Sequence, residues 1–181
     1  GLRGFYVASE KVNRSEFTDY VFSRDLPTEF PGVRGFGFVE PVQREQMDAF
    51  LAGERTDDAD FALRSLGDDS HSTLYVVKLI EPAIDNTGVL GLDLGSEMVR
   101  RAALEFAIDS AEPAMTAPLR LVQDKSASAG VIIYMPLYRK VTRLNSALER
   151  REALRGLLSA PMVVTELFNG LDQAIGYTLH L

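Results

Sequence analysis

Near the start of the chain the apolar residues Phe5, Val12, Phe17, Tyr20 and Val21 recur at spacings compatible with a helix, and Ser15, just ahead of Glu16 and Phe17, offers an N-cap. A break at Leu26-Pro27 ends that pattern, because the residue before a proline is driven out of the helical region. Pro31-Gly32 signals a turn, and Val33 to Val39 predicts a strand in which Gly35 and Gly37 alternate with Phe36 and Phe38. With glycine at every second position, one face of that strand is open to close approach by a backbone or a ligand. Arg44 to Leu51 predicts a short helix, Gly53 to Asp60 a charged loop, and Leu74 to Ile80 a second strand closed by Glu81-Pro82. A loop at Asp85-Asn86-Thr87-Gly88 leads into an apolar run from Val89 to Leu94 that predicts a further strand.

The clearest helix follows, with Ser96 as its cap and Glu97 in its first turn, where the helix dipole favours negative charge. Val99, Ala102, Ala103, Phe106 and Ala107 recur at i, i+3, i+4, i+7 and i+8, which makes them the predicted buried stripe and puts the Arg101–Glu105 pair on the wet side. Past Glu112-Pro113, Thr116 to Gln123 and Gly130 to Tyr138 predict two strands joined by a hairpin loop. The second is apolar on both faces and belongs in the middle of a covered sheet. Arg139 to Arg155 is basic and polar and predicts a connector; Gly156 to Gly170 and Ile175 to Leu181 predict a strand, a helix and a strand. This order of elements is that of an α+β fold, a mixed sheet with helices packed against it in a PAS-like arrangement.

With 181 residues, 46% hydrophobic and 25% charged, the chain can bury a large core without covalent staples. A net charge of −7 and a pI near 4.9 repel phosphate backbones, so nucleic acid is not expected as a partner. Cysteine is absent, and the two histidines, His71 and His180, sit in no metal or triad motif; no metal, cofactor or catalytic residue is therefore assigned. The longest uncharged run, near Ala129 to Tyr138, falls far short of the roughly 20 apolar residues of a membrane helix. No secretory leader pattern is present either, so any link to a membrane has to come from outside these residues.

Several ordered blocks together resemble a CHASE domain. They are Pro31-Gly32-Val33-Arg34-Gly35-Phe36-Gly37, Ile80-Glu81-Pro82 with Asn86, and Leu90-Gly91-Leu92-Asp93-Leu94-Gly95-Ser96-Glu97 leading to Arg100-Arg101-Ala102-Ala103-Leu104. Thr116 to Gln123 and Gly130 to Tyr138 are similar to the last two strands of the family's ligand-binding part, and Leu154-Arg155-Gly156 and Glu166-Leu167 to its second part. The resemblance implies a periplasmic or extracellular sensor, anchored by flanking transmembrane helices, that reports a small-molecule ligand to a cytoplasmic histidine kinase, diguanylate cyclase or similar output. It implies a stalk helix followed by two PAS-like subdomains with mixed or antiparallel sheets. Residues 1–30 would be the end of the stalk and a connector, 31–138 the membrane-distal ligand-binding subdomain, 139–155 a connector, and 156–181 the start of a membrane-proximal subdomain cut short. The full-length protein would be a homodimer through its stalks, while this stretch alone is compatible with a monomer.

Plant members of the family bind cytokinins through an acid at the start of the helix after the Leu-Asp block, and the corresponding residue here is Arg100. A guanidinium cannot accept a hydrogen bond from an adenine-type ring N–H but can clamp a carboxylate or phosphate. The expected ligand is therefore not a cytokinin but a small anionic metabolite. Arg100 lies about 100° round the helix from Val99, where it either reaches a cavity between helix and sheet or snorkels to solvent. The resemblance also implies ligand contact at Tyr134, Thr116 and Val122. Their structural alternatives are a protein-bonded tyrosine, a hydroxyl fixing the turn before Pro118, and plain core. Arg120 is in phase with Thr116 and Val122, so it either joins Arg100 in an anion site or pairs with a surface acid. Tyr75, Val77, Leu92 and Leu94 are lining candidates by strand placement. Two rival functions stand beside the sensor: a small acid-base enzyme built on Asp93, Glu97 and Tyr134, and a structural interaction domain without a ligand.

Overall fold

The computed structural model describes residues 13–125, 128–140, 144–166 and 168. Residues 1–12, assigned to the stalk end, and Ile175 to Leu181 with His180 lie outside them. Five strands form one sheet: β1 (Phe36–Gln43), β2 (Thr73–Glu81), β3 (Ala114–Met115), β4 (Gly130–Tyr138) and β5 (Leu154–Val163), in the order β2-β1-β5-β4-β3. Every pairing is antiparallel. The fold is α+β and consistent with a PAS-like arrangement. The two nearly continuous apolar runs, β4 and β5, pair along almost their whole length and lie inside the sheet, where both faces are covered.

The strand expected from Gly156 runs over Leu154–Val163 as the middle strand of this sheet, and the stretch expected as a connector before it carries a helix that delivers it there. That helix, Ala147–Ala153, has a capping box between Ser146 and Glu149, and its Arg151 makes a two-pronged pair with Asp109 at 2.7 and 2.6 Å.

Helices cover both faces. On one, α1 (Arg14–Phe22) and the single turn α2 (Leu26–Glu29) seat Phe17, Val21 and Leu26 against Phe38, Leu79, Leu137 and Leu158. Asn13, not Ser15, caps α1, its Oδ1 accepting from Glu16 N at 2.8 Å. Leu26-Pro27 starts α2 rather than simply ending a helix, since a proline in the first turn forfeits no intrahelical bond. A third helix, α3 (Met47–Glu54), follows β1 as predicted and closes a smaller cluster of Val42, Met47, Phe61, Leu74 and Val76.

The other face is covered by α4 (Met98–Ser110), whose buried residues are Arg100, Ala103, Leu104, Ala107 and Ile108. The predicted stripe was therefore one residue out of phase, about 100° of rotation, and Phe106 is left 64% exposed. Val89 to Leu94 is not a strand. Gly88 and Gly91 take φ of 88° and 77°, and the turn they make is stitched to β2 by Gly91 N to Val77 O (2.8 Å) and Val77 N to Leu92 O (2.9 Å). It thereby covers a sheet edge that would otherwise be open. The predicted strand Thr116–Gln123 is not formed: β3 lies just before it, and within it only a single bridge joins Leu119 to Gly130, with Pro118 interrupting the ladder. The open face of the glycine strand is filled by protein: a Cβ on Gly37 would stand 2.6 Å from Ser159 Oγ. Among the described residues no helix is long and apolar enough to cross a membrane.

Candidate functional site

The entrance to α4 is built by one aspartate. Asp93 Oδ1 accepts from Tyr75 N and from Gly95 N, both at 2.9 Å, which bends Leu94–Ser96 into a 3-10 turn against β2. Ser96, the predicted cap, instead locks that turn: its Oγ donates to Asp93 O (2.6 Å) and accepts from Leu66 N (2.8 Å). Glu97 is the cap, accepting from Val99 N at 2.8 Å and Arg100 N at 3.1 Å. Burial works against its charged form but is outweighed by those two N–H groups and the Arg100 guanidinium, so the carboxyl titrates below its ordinary range.

Arg100 turns inward rather than snorkelling and is 5% exposed. Its Nη1 donates to Glu97 Oε2 at 3.0 Å and its Nη2 to the carbonyl of Arg120 at 2.9 Å. Its Nε is buried and finds no partner. Tyr134, on β4 between Ala114 of β3 and Ser159 of β5, is fully buried, and its hydroxyl also finds no partner. Burial pushes the phenol well above its ordinary pKa, with Arg100 working the other way and Glu97 adding to the rise, so the group stays a protonated donor. Among the described residues these are the two buried side-chain polar atoms without a hydrogen bond. Each such atom costs about 1–3 kcal/mol, which makes the pair a feature to explain rather than an accident of packing.

Tyr75, Val77, Leu92 and Leu94 are all buried in the same cluster as Tyr134. The ring of Tyr75 lies under the Arg101 guanidinium, 5.4 Å from centroid to carbon, and burial raises its hydroxyl to about 12. Arg101 also pairs with Glu105 at 2.9 Å, as predicted. Other candidates are placed differently from expectation. Thr116 Oγ1 accepts from Ile132 N at 3.0 Å, so it ties β4 and not the turn before Pro118. Val122 is 42% exposed and is neither core nor part of the buried site. Arg120 is exposed and meets Arg100 through its carbonyl, so the two side chains do not form a joint anion site. Asp93 and Glu97 are engaged by backbone N–H groups, which leaves the proposed acid-base set without a free base. Among the described residues no cluster of three or more potential metal ligands occurs.

Sequence reasoning missed a concavity elsewhere in the fold. An open cleft of about 570 Å³ is lined by residues from α2 (Leu26), the lead-in to β1 (Val33, Arg34), the exit of β2 (Pro82, Ile84, Asp85, Thr87) and the loop before β4 (Gln123, Asp124, Lys125). Only the turn signals around Pro31-Gly32 and Asn86 hinted that these segments converge.

The family model that the chain matches is the CHASE domain, over residues 10–181. No curated protein matches it.

Proposed function

The chain belongs to the CHASE domain family, the extracytoplasmic sensory domains of receptors, and from that membership we propose that it is the ligand-binding part of a membrane-anchored receptor, not an enzyme. The observation that carries this reading is the pair of buried, unpartnered donors, Arg100 Nε and Tyr134 Oη, between α4 and the sheet. A small molecule offering an acceptor there satisfies both and recovers free energy that the unliganded protein forgoes. Tyr75, Val77, Leu92 and Leu94, buried in the same apolar cluster as Tyr134, are the proposed lining.

The expected anionic ligand meets a specific obstacle. Glu97 already balances the Arg100 charge at 3.0 Å, so a carboxylate binds fully only by displacing the Glu97 carboxylate, whereas an uncharged carbonyl binds without displacement. Either event is felt at the start of α4, because Glu97 is the helix cap and Arg100 also holds the Arg120 carbonyl. Ligand occupancy thus biases the position of α4 against the β3–β4 side of the sheet, and that bias is the signal. In the full-length homodimer it passes through flanking transmembrane helices to a histidine kinase, diguanylate cyclase or related output.

Thermal-shift screening of the 181-residue chain against small acids, bases and neutral metabolites tests this. A ligand at 100 times its Kd stabilises by about 2.7 kcal/mol. The response is lost in Tyr134→Phe and Arg100→Ala. If no compound moves the melting temperature, or both variants respond as the wild type does, the reading fails.

A further inference from the structure

The open cleft shares no lining residue with the Arg100–Tyr134 site, and its floor is constructed. Asn86, 1% exposed, donates from Nδ2 to Arg34 O (3.0 Å) and Pro82 O (2.7 Å) and accepts at Oδ1 from Gln123 Nε2 (3.1 Å). One buried amide therefore fixes the lead-in to β1, the exit of β2 and the loop before β4. Gly35 beside it admits no side chain, since a Cβ there would sit 2.5 Å from Glu81 O and 2.9 Å from Asn86 Nδ2.

Charges of both signs stand on this floor. Arg34 pairs with Glu166 at 2.7 Å and lies 3.9 Å from Asp124, both through Nη2, so Nε and Nη1 carry no ion pair among the described residues. The Asp124 side chain is only 8% exposed, and Asp85, Thr87, Gln123 and Lys125 complete the polar lining. The remaining wall is aliphatic, with Leu26, Val33, Pro82 and Ile84, the last standing 83% exposed.

We propose that this cleft is a second ligand site, and that it takes a small zwitterion with an aliphatic side chain, the chemistry of a free branched-chain amino acid. A lone carboxylate would face Asp124 and Asp85, and a lone amine would face Arg34 and Lys125. A zwitterion places its carboxylate on the Nη1–Nη2 edge of Arg34, where it shares Nη2 with Glu166, and its ammonium toward Asp124, and its side chain covers Ile84. The volume is of the size that small-molecule sites occupy. The rim also connects the site to the rest of the molecule. Arg34 N donates to Pro161 O (2.8 Å), Val163 N to Gly32 O (2.9 Å), and Glu166 lies just past β5. A ligand carboxylate on Arg34 competes with Glu166 and so acts on the chain as it leaves the sheet.

Isothermal titration of the 181-residue chain with L-valine, L-leucine and L-isoleucine, alongside isopentylamine and 4-methylpentanoate, tests the proposal. At least one amino acid binds, and both truncated analogues bind about ten-fold or more weakly. Arg34→Gln and Asp124→Asn each weaken binding by about ten-fold or more. Ile84→Ser, at an exposed position that does not threaten the fold, weakens it by a few-fold. The proposal is overturned if none of the three amino acids binds, if the amine or the acid alone binds as well as they do, or if the affinity survives all three substitutions.

Discussion

Arg100 and Arg34 hold the same functional group in opposite settings. Arg100 leaves a regular helix, is 5% exposed, and meets one carboxylate that also caps its own helix. Arg34 leaves an irregular lead-in to β1, has a third of its side chain in solvent, and stands between Asp124 and Glu166. In the first setting the charge is already balanced and what remains unsatisfied is a buried N–H; in the second the charge is shared and its other donors can reach water. A closed polar site is destabilising until something fills it, while an open one is not, because solvent screens and solvates it. Binding at Arg100 should therefore be tightly linked to folding stability, and binding at Arg34 only loosely.

The largest contrast is expected from truncating the two arginines. Arg100→Ala strips Glu97 of its partner beside the core and costs about 2–4 kcal/mol in urea unfolding. Arg34→Ala, at a partly exposed pair, costs less than about 1 kcal/mol. Equal losses would break the comparison. Next comes the backbone beneath the cleft. Gly35→Ala drives a Cβ against the Glu81 carbonyl and costs about 1–3 kcal/mol. Gly53→Ala, near the end of α3 where a Cβ would touch nothing within 4 Å, stabilises by about 0.5–1 kcal/mol.

A smaller effect depends on pH. The Glu97 carboxyl is held below its ordinary value of 4.5, so its contribution is complete above that value and is lost as pH falls through the depressed folded one. Urea midpoints measured down the acid limb should therefore fall less steeply in Glu97→Gln than in the wild type. An unchanged slope would mean that the cap and ion pair contribute little. Smallest of all, Tyr134→Phe removes a hydroxyl that has no partner, so unliganded stability should stay level or rise by up to about 1 kcal/mol. A clear loss would show that the hydroxyl is satisfied and that the closed site has been misread.

What could be seen in the sequence was whatever local pattern determines. The strands of residues 74–80 and 130–138, the helix after β1 and the Arg101–Glu105 pair all follow from periodicity over a few neighbours. The position of β5 could not be read that way, because a short apolar run after a charged helix does not name its partners, and one of them, β1, is distant in the chain. The phase of α4 failed for a related reason. Apolarity favoured Phe106 over Arg100, yet the guanidinium is the inward group because Glu97 and the Arg120 carbonyl receive it there. Arg100 and Tyr134 were legible only through family resemblance, and the missing partner of each is a property of the fold alone. The Arg34 cleft draws on four separated segments and left almost no sequence signal.

The most direct test is a crystal structure of the chain with whichever compound shifts its melting temperature through Arg100 and Tyr134. An acceptor atom of that compound within about 3.2 Å of both Arg100 Nε and Tyr134 Oη is the expected result. Ordered water on both atoms, with the compound bound elsewhere, would contradict it.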